Sequence, residues 1–208
     1  MNDGTPLHWA LFDFGDTLVK EPFCTRPPPE VPDWVERILH VYDTDPITDR
    51  WMLGDVDHAA VADVIAADTP LSGAEVRVLM EAEFRDLSCN ARVAQLGREL
   101  GRAGRAAIVT VNPDAFSNVI QPHSRLQDDY PVIVTSWQER TLDKNELCRI
   151  ALERLGDPLG FERAVLIDNR PENVVAFRSL GGSGYVFTSD AAFVRDRSVH
   201  PALRRLLL

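Results

Sequence analysis

Two aspartates, a threonine and a lysine carry the chemistry available to this chain, and they stand in comparable places. Asp13 follows the apolar run Leu7-His8-Trp9-Ala10-Leu11-Phe12, Thr110 sits within Ala106-Ala107-Ile108-Val109-Thr110-Val111, and Asp168 closes Ala164-Val165-Leu166-Ile167. Ser136 follows a further run, Val132-Ile133-Val134-Thr135, and Lys144 lies between it and Asp168. Short apolar runs bounded by turn signals read as buried strands. In open α/β sheets, ligands bind in the crevice beyond the carboxyl ends of such strands. Two carboxylates at that edge can hold Mg2+ through oxygen, with waters filling the other positions. A hydroxyl and an ammonium can hold phosphoryl oxygens while one carboxylate attacks as nucleophile. The lysine is informative because Lys20 and Lys144 are the only two in the chain, arginine supplying the remaining positive charge. A compact ammonium is not interchangeable with a guanidinium fork.

Positioning these groups requires a sheet. Strands at 7–12, 106–111, 132–135, 164–168 and 185–187 alternate with helices over 90–101, 145–155 and 171–180. In these helices apolar residues recur at helical spacing, as Val93, Leu96 and Leu100 do. The alternation implies βαβ units, hence an α/β fold with a Rossmann-like parallel sheet core. Between 32 and 88 the pattern changes. Helices are predicted over 33–42 and 57–67, and a third opens on the capping-box pattern Ser72-Gly73-Ala74-Glu75 and continues through Phe84 and Leu87. No strand is evident among them. Pro22, Pro27, Pro28, Pro29 and Pro32 make a stiff exit from the first strand into this all-helical insert. The expected division is a core of 1–19 and 90–208 around an insert of 20–89.

Composition narrows the function. The chain has 208 residues, 45% of them hydrophobic, enough to bury a sizeable core. No apolar stretch approaches the ~20 residues of a membrane span. The start of the chain lacks the basic and apolar regions of a signal peptide, so a cytoplasmic protein is expected. Cys24, Cys89 and Cys148 are odd in number and widely spaced, which suits reduced thiols. A net charge of -10 argues against a nucleic-acid backbone and leaves a small molecule as the expected partner. His8, His40, His58, His123 and His200 show no paired metal-ligand spacing. Gly181-Gly182-Ser183-Gly184 leads into a strand rather than a helix, so it is no dinucleotide fingerprint, and a P-loop pattern is absent. Trp34 and Trp51 read first as core packing and second as pocket lining.

Four motifs in order resemble the haloacid dehalogenase-like (HAD) hydrolases: Phe12-Asp13-Phe14-Gly15-Asp16-Thr17-Leu18, Ile108-Val109-Thr110-Val111-Asn112, Lys144, and Val165-Leu166-Ile167-Asp168-Asn169-Arg170-Pro171-Glu172-Asn173. The insert after the first strand is similar to that superfamily's small helical cap. The resemblance runs from Leu7 to about Phe187. It implies that Asp13 is a nucleophile forming a covalent aspartyl intermediate, and that Asp13, Asp168 and the backbone carbonyl of Gly15 hold Mg2+. It implies further that Thr110, Asn112 and Lys144 bind the transferred phosphate, Lys144 also neutralising the carboxylates. The activity implied is Mg2+-dependent, phosphatase-type hydrolysis of a small phosphorylated metabolite.

The chain departs from the family pattern at two positions. The family's acid/base, two residues past the nucleophile, is Gly15 here, and Asn169 stands where many relatives have a second acid. Loss of a positioned acid/base costs on the order of 10²–10⁴-fold for leaving groups that need protonation, unless Asp16 reaches in from the next position. Gly15 therefore keeps two alternatives open. One is hydrolysis of a 2-haloacid, whose halide leaves unprotonated and whose carboxylate would want an arginine cradle, with Arg26, Arg37 and Arg50 as candidates. The other is a HAD fold kept for binding or regulation with little turnover. A phosphonate-cleaving reaction would want a cap lysine, and residues 21–95 contain none. Asn173 is expected to brace the loop after Asp168, Arg170 to be a surface charge, and Ser136 to be a loop polar.

Overall fold

Apolar residues alternate between two faces along each strand, and both faces are covered. In the computed structural model, which describes residues 6–20 and 24–207, β1 (Trp9–Phe12) sends Ala10 and Phe12 into one buried cluster and Trp9 and Leu11 into another. That is the period of two expected of a strand, and two-sided burial is what an all-parallel sheet requires. The sheet has five strands in the order β3-β2-β1-β4-β5, where β2 is Ala106–Thr110, β3 Val132–Thr135, β4 Ala164–Asp168 and β5 Ser183–Val186. Every pairing is parallel. The strand order reverses at β1, so the crevice for ligands falls beside its carboxyl end.

Between β1 and the first core helix lie α1 (Trp34–Thr44), α2 (Ile47–Met52), α3 (His58–Ala66) and α4 (Gly73–Arg85). Their apolar faces (Val41, Met52, Val61, Ile65, Met80 and Phe84) are continuous with the residues covering one face of the sheet. The chain enters and leaves this segment on two adjacent stretches, with Lys20 N donating to Ser88 O at 2.8 Å and Asn90 N to Leu18 O at 2.9 Å. The capping box at α4 is present: Glu75 N donates to Ser72 Oγ at 3.3 Å, and Ser72 N donates back to Glu75 Oε2 at 2.8 Å. Four helices stand here rather than three. The extra one, α2, has six residues and follows Pro46, too short for hydrophobic periodicity to reveal. The proline stretch from 24 to 33 forms neither helix nor strand, as expected, and Pro22 lies outside the described residues.

The rest of the chain follows the alternating pattern. α5 (Ala91–Arg102) leads into β2. After β2 come a π-helical turn at Phe116–Ile120, the one-turn helices α6 (Gln121–Ser124) and α7 (Leu126–Asp129), and β3. The one-turn α8 (Ser136–Glu139) and α9 (Lys144–Arg154) lead to β4, then α10 (Pro171–Ser179) to β5. α11 (Asp190–Asp196) and α12 (Pro201–Leu207) complete the described chain. β5 begins within the glycine cluster rather than after it. A Cβ on Gly184 would come within 2.5 Å of Val174 Cγ1, so glycine lets α10 pack close against this strand.

Candidate active site

Three neighbouring strands of the sheet bring the sequence candidates together. Asp13 follows β1 directly, with its backbone N donating to Ile167 O of β4 at 2.9 Å. Asp168 is the last residue of β4, in register one position beyond the Phe12–Ile167 pair. Thr110 ends β2 on the other side of β1. Lys144 opens α9, whose N-cap Asp143 accepts from Asn145 N. All four are buried, Asp168 completely.

Lys144 is the centre of this arrangement. Its Nζ donates to Asp13 Oδ1 at 2.5 Å and to the Val109 carbonyl at 2.7 Å, and lies 3.2 Å from Asp168 Oδ2. Burial alone would lower its pKa. The facing Asp13 and Asp168 charges outweigh that and hold it above the ordinary lysine value, so the ammonium is charged. Asp13 shows the opposite balance. Burial is the largest influence and pushes its carboxyl up, the Asp168 charge adds to this, and Lys144 does not fully offset them. Thr17 Oγ1 lies 3.5 Å from Asp13 Oδ2, a long contact. Asp168 is braced from behind by Asn173 Nδ2, at 3.2 and 3.1 Å from its two oxygens, and by Arg170 N at 2.8 Å. Asn173, expected to brace the loop after Asp168, bonds the Asp168 carboxylate itself, and Arg170 is exposed, as expected.

Two carboxylates against one ammonium leave one negative charge without a partner. That surplus, on hard oxygen donors, fits a divalent cation such as Mg2+, which accepts one or two carboxylates and keeps several waters. Among the described residues, no group of three or more His, Cys, Asp or Glu side chains is arranged to hold a metal. A cation here would therefore rest on Asp13, Asp168, water and backbone oxygen. Gly15, whose carbonyl is the expected backbone ligand, is half-buried in the turn that bridges to Val19. Its φ is not positive, so the backbone there does not demand glycine. Asp16, next in the turn, does have a left-handed φ of 50° and is exposed.

Thr110 and Asn112 are joined, Asn112 Nδ2 donating to Thr110 Oγ1 at 2.6 Å. Ser136 is not the loop polar expected of it. It is fully buried, its Oγ accepting from Asn112 N at 3.0 Å and lying 2.8 Å from the Met52 carbonyl, which ties the β2 end to α2. Burial pushes the Cys24 and Cys148 thiols up to about 12, and all three cysteines are free, so the buried two are inert thiols. Arg26 pairs with Asp86, Arg37 with Asp33 at 2.8 Å, and Arg50 is exposed; none lines the cavity beside the cluster.

A second cluster was not legible in the sequence. His58 at the start of α3 places Nδ1 2.7 Å from Asp114 Oδ2 and Nε2 3.1 Å from Glu81 Oε1 of α4, while Trp51 Nε1 of α2 donates to Asp114 Oδ1 at 2.6 Å. Both ring nitrogens face carboxylates, and the hydrogen bond to Asp114 is the main cause that raises the His58 pKa. These residues come from four separate segments, and no short-range pattern links them. The one local signal is that Asp114 follows Asn112 and Pro113 at the end of β2.

No protein-family model and no curated protein sequence matches the chain. Solved structures do. A HAD family enzyme of Bacteroides thetaiotaomicron superposes with a TM-score of 0.64 at 14% identity, over 89% of this chain and 95% of that one. The same enzyme in complex with magnesium and inorganic phosphate superposes at 0.59 and 13% identity, over 88% of this chain and 95% of that one. A predicted HAD-like family hydrolase of Porphyromonas gingivalis gives 0.61 at 13% identity, over 92% of this chain and 98% of that one. With the parallel sheet, its strand order and its element sequence, these matches establish that the chain has the haloacid dehalogenase-like fold.

Proposed function

We propose that this protein is a Mg2+-dependent hydrolase of small phosphate monoesters, with Asp13 as nucleophile and α1–α4 as a cap over the site. The observation that carries the reading is the Lys144 ammonium held between Asp13 and Asp168 at the carboxyl edge of β1 and β4. Asp13 Oδ would attack phosphorus while the ester P–O bond breaks, the electron pair leaving with the alcohol oxygen. Water then cleaves the aspartyl phosphate and restores the carboxylate. Lys144, Thr110 and Asn112 would hold phosphoryl oxygens, and a fixed positive group at developing charge is commonly the largest catalytic term. Mg2+ held by Asp13, Asp168 and the Gly15 carbonyl would supply further charge neutralisation. The Bacteroides relative crystallised with magnesium and phosphate supports the same assignment.

Gly15 shapes the reactivity. With no side chain there, and unless Asp16 from the next position supplies the proton, the leaving group departs as an anion, so activated esters react and alkyl esters lag by on the order of 10²–10⁴-fold. The haloacid reading draws no support from Arg26, Arg37 or Arg50, which lie away from the cavity. The test is hydrolysis of p-nitrophenyl phosphate with Mg2+ by wild type, Asp13→Asn and Gly15→Asp. Wild type is expected to turn over and Asp13→Asn to fall to background. Equal rates for those two proteins would refute the assignment.

A further inference from the structure

A cavity of about 380 Å³ opens beside the cluster, between the helices of the insert and the segment that follows β2. It meets the cluster at Asn112, whose amide reaches Thr110, and at Asp16 in the turn after Asp13; Asp13 and Lys144 themselves do not line it. Its size suits a small organic group. We propose that this chamber receives the alcohol half of the substrate, and that this half is uncharged and apolar: an aromatic or branched hydrocarbon group rather than a sugar, a carboxylate or a second phosphate. The proposal rests on Asp13–Lys144 being the phosphoryl site.

Three features of the wall carry it. The interior is hydrocarbon, contributed by Ile38, Val61, Ile65, Met80, Phe84 and Phe116. Three of its polar side chains already bond within the protein. Thr48 Oγ1 donates to the Val41 carbonyl at 2.9 Å, Trp51 Nε1 to Asp114 at 2.6 Å, and Asn112 Nδ2 to Thr110 at 2.6 Å. Over the hydrocarbon interior a polyol would lose water without matching hydrogen bonds, and unpaired buried polar groups are costly. The charge is also one-signed. Among the described residues lining the chamber the only charged side chains are Asp16 and Asp43, and no Lys, Arg or His is present. An anionic group on the leaving alcohol would face like charge and find no counter-ion. An aromatic alcohol also leaves readily as an anion, in keeping with the absence of an acid at position 15.

Calorimetry on the metal-free wild-type protein tests the chamber apart from the chemistry, using 1-naphthol and 1-naphthoate as a matched neutral and anionic pair. Saturable 1:1 binding of naphthol, with naphthoate at least tenfold weaker, is expected. Equal or tighter binding of naphthoate, or no binding of naphthol, overturns the proposal. Ile65→Trp, which fills the chamber, should weaken naphthol at least tenfold; should that variant fail to fold, the wild-type pair decides alone. In steady state with Mg2+, 1-naphthyl phosphate should exceed glucose 6-phosphate and an aryl phosphate bearing a carboxylate in kcat/KM by at least tenfold. Naphthol binding without turnover of any phosphate ester would sink the hydrolase reading and leave the chamber's preference standing. Turnover of p-nitrophenyl phosphate without naphthol binding would do the reverse.

Discussion

Removing His58 should loosen the helical insert from the sheet, in a way that depends on pH. The His58 side chain is 14% exposed and its partner Asp114 only 4%, so the substitution His58→Ala leaves a nearly buried carboxylate with the Trp51 indole N–H and the backbone N–H of residue 58 as remaining donors. Removing one partner of a fully buried ion pair costs ~3–5 kcal/mol; the partial exposure of His58 and the remaining indole bond reduce this to ~2–3 kcal/mol. For a chain of this size that corresponds to ~4–12 °C in Tm. The sign of the pH dependence follows from the shifts. His58 is raised, so its contribution is complete below the unfolded histidine value of about 6.5 and fades as pH rises through the higher folded value. For Asp114 and Glu81, burial pulls upward, but hydrogen bonds prevail and lower both: His58 then Trp51 on Asp114, Arg85 then His58 on Glu81. Their contribution is complete above the unfolded carboxylate value of about 4 and is lost as pH falls through the folded value. The Tm gap between wild type and His58→Ala, measured by differential scanning fluorimetry, should therefore be widest near pH 5–6.5 and narrow toward pH 9. A gap below ~0.5 kcal/mol, or one that does not change across that range, would refute the coupling. A double-mutant cycle with Asp114→Asn should return most of the effect as interaction energy.

Other outcomes follow from the same geometry. Asp13→Asn should abolish turnover yet raise metal-free stability by ~0.5–2 kcal/mol in thermal melts, because it removes the surplus charge beside Asp168. Lys144→Met should do the opposite, lowering stability by ~3–5 kcal/mol by leaving two buried carboxylates unpaired, and no phosphate ester should be hydrolysed. Gly15→Asp should raise kcat/KM for alkyl phosphates by about 10²-fold or more while changing aryl phosphates little; equal gains on both would refute the role given to Gly15. Mg2+ at about 100 times its Kd should stabilise wild type by ~2.7 kcal/mol, and Asp168→Asn should remove that increment.

Much of this was legible because the candidate residues sit at strand ends. Asp13 and Asp168 each terminate a buried apolar run, and a parallel sheet places such ends side by side without further information. Lys144 stood out by scarcity. Asn173 is legible as a bracing residue but not in its target, since its amide bonds the Asp168 carboxylate rather than the loop that follows. Ser136 was misread: a serine after a strand looks like a loop polar, and only the packing of α2 against α8 shows that it bridges Asn112 and Met52. α2 was missed because one and a half turns carry no periodicity, and β5 was started late because glycine usually marks a turn, whereas Gly184 is there to admit Val174. His58, Asp114, Glu81 and Trp51 were beyond reach for a general reason. Their hydrogen bonds span 23 to 63 residues, and side-chain contacts at that separation leave no local trace.

The most direct test of Asp13 as nucleophile is acid quench of the protein after brief reaction with a ³²P-labelled aryl phosphate and Mg2+, followed by peptide mapping. Without an acid/base at position 15, water attack on the intermediate is slowed, so label should accumulate as an acyl phosphate on Asp13 and be discharged by hydroxylamine. Asp13→Asn should carry none. Turnover of the ester with no trappable label, or label that persists in Asp13→Asn, would contradict the nucleophile assignment.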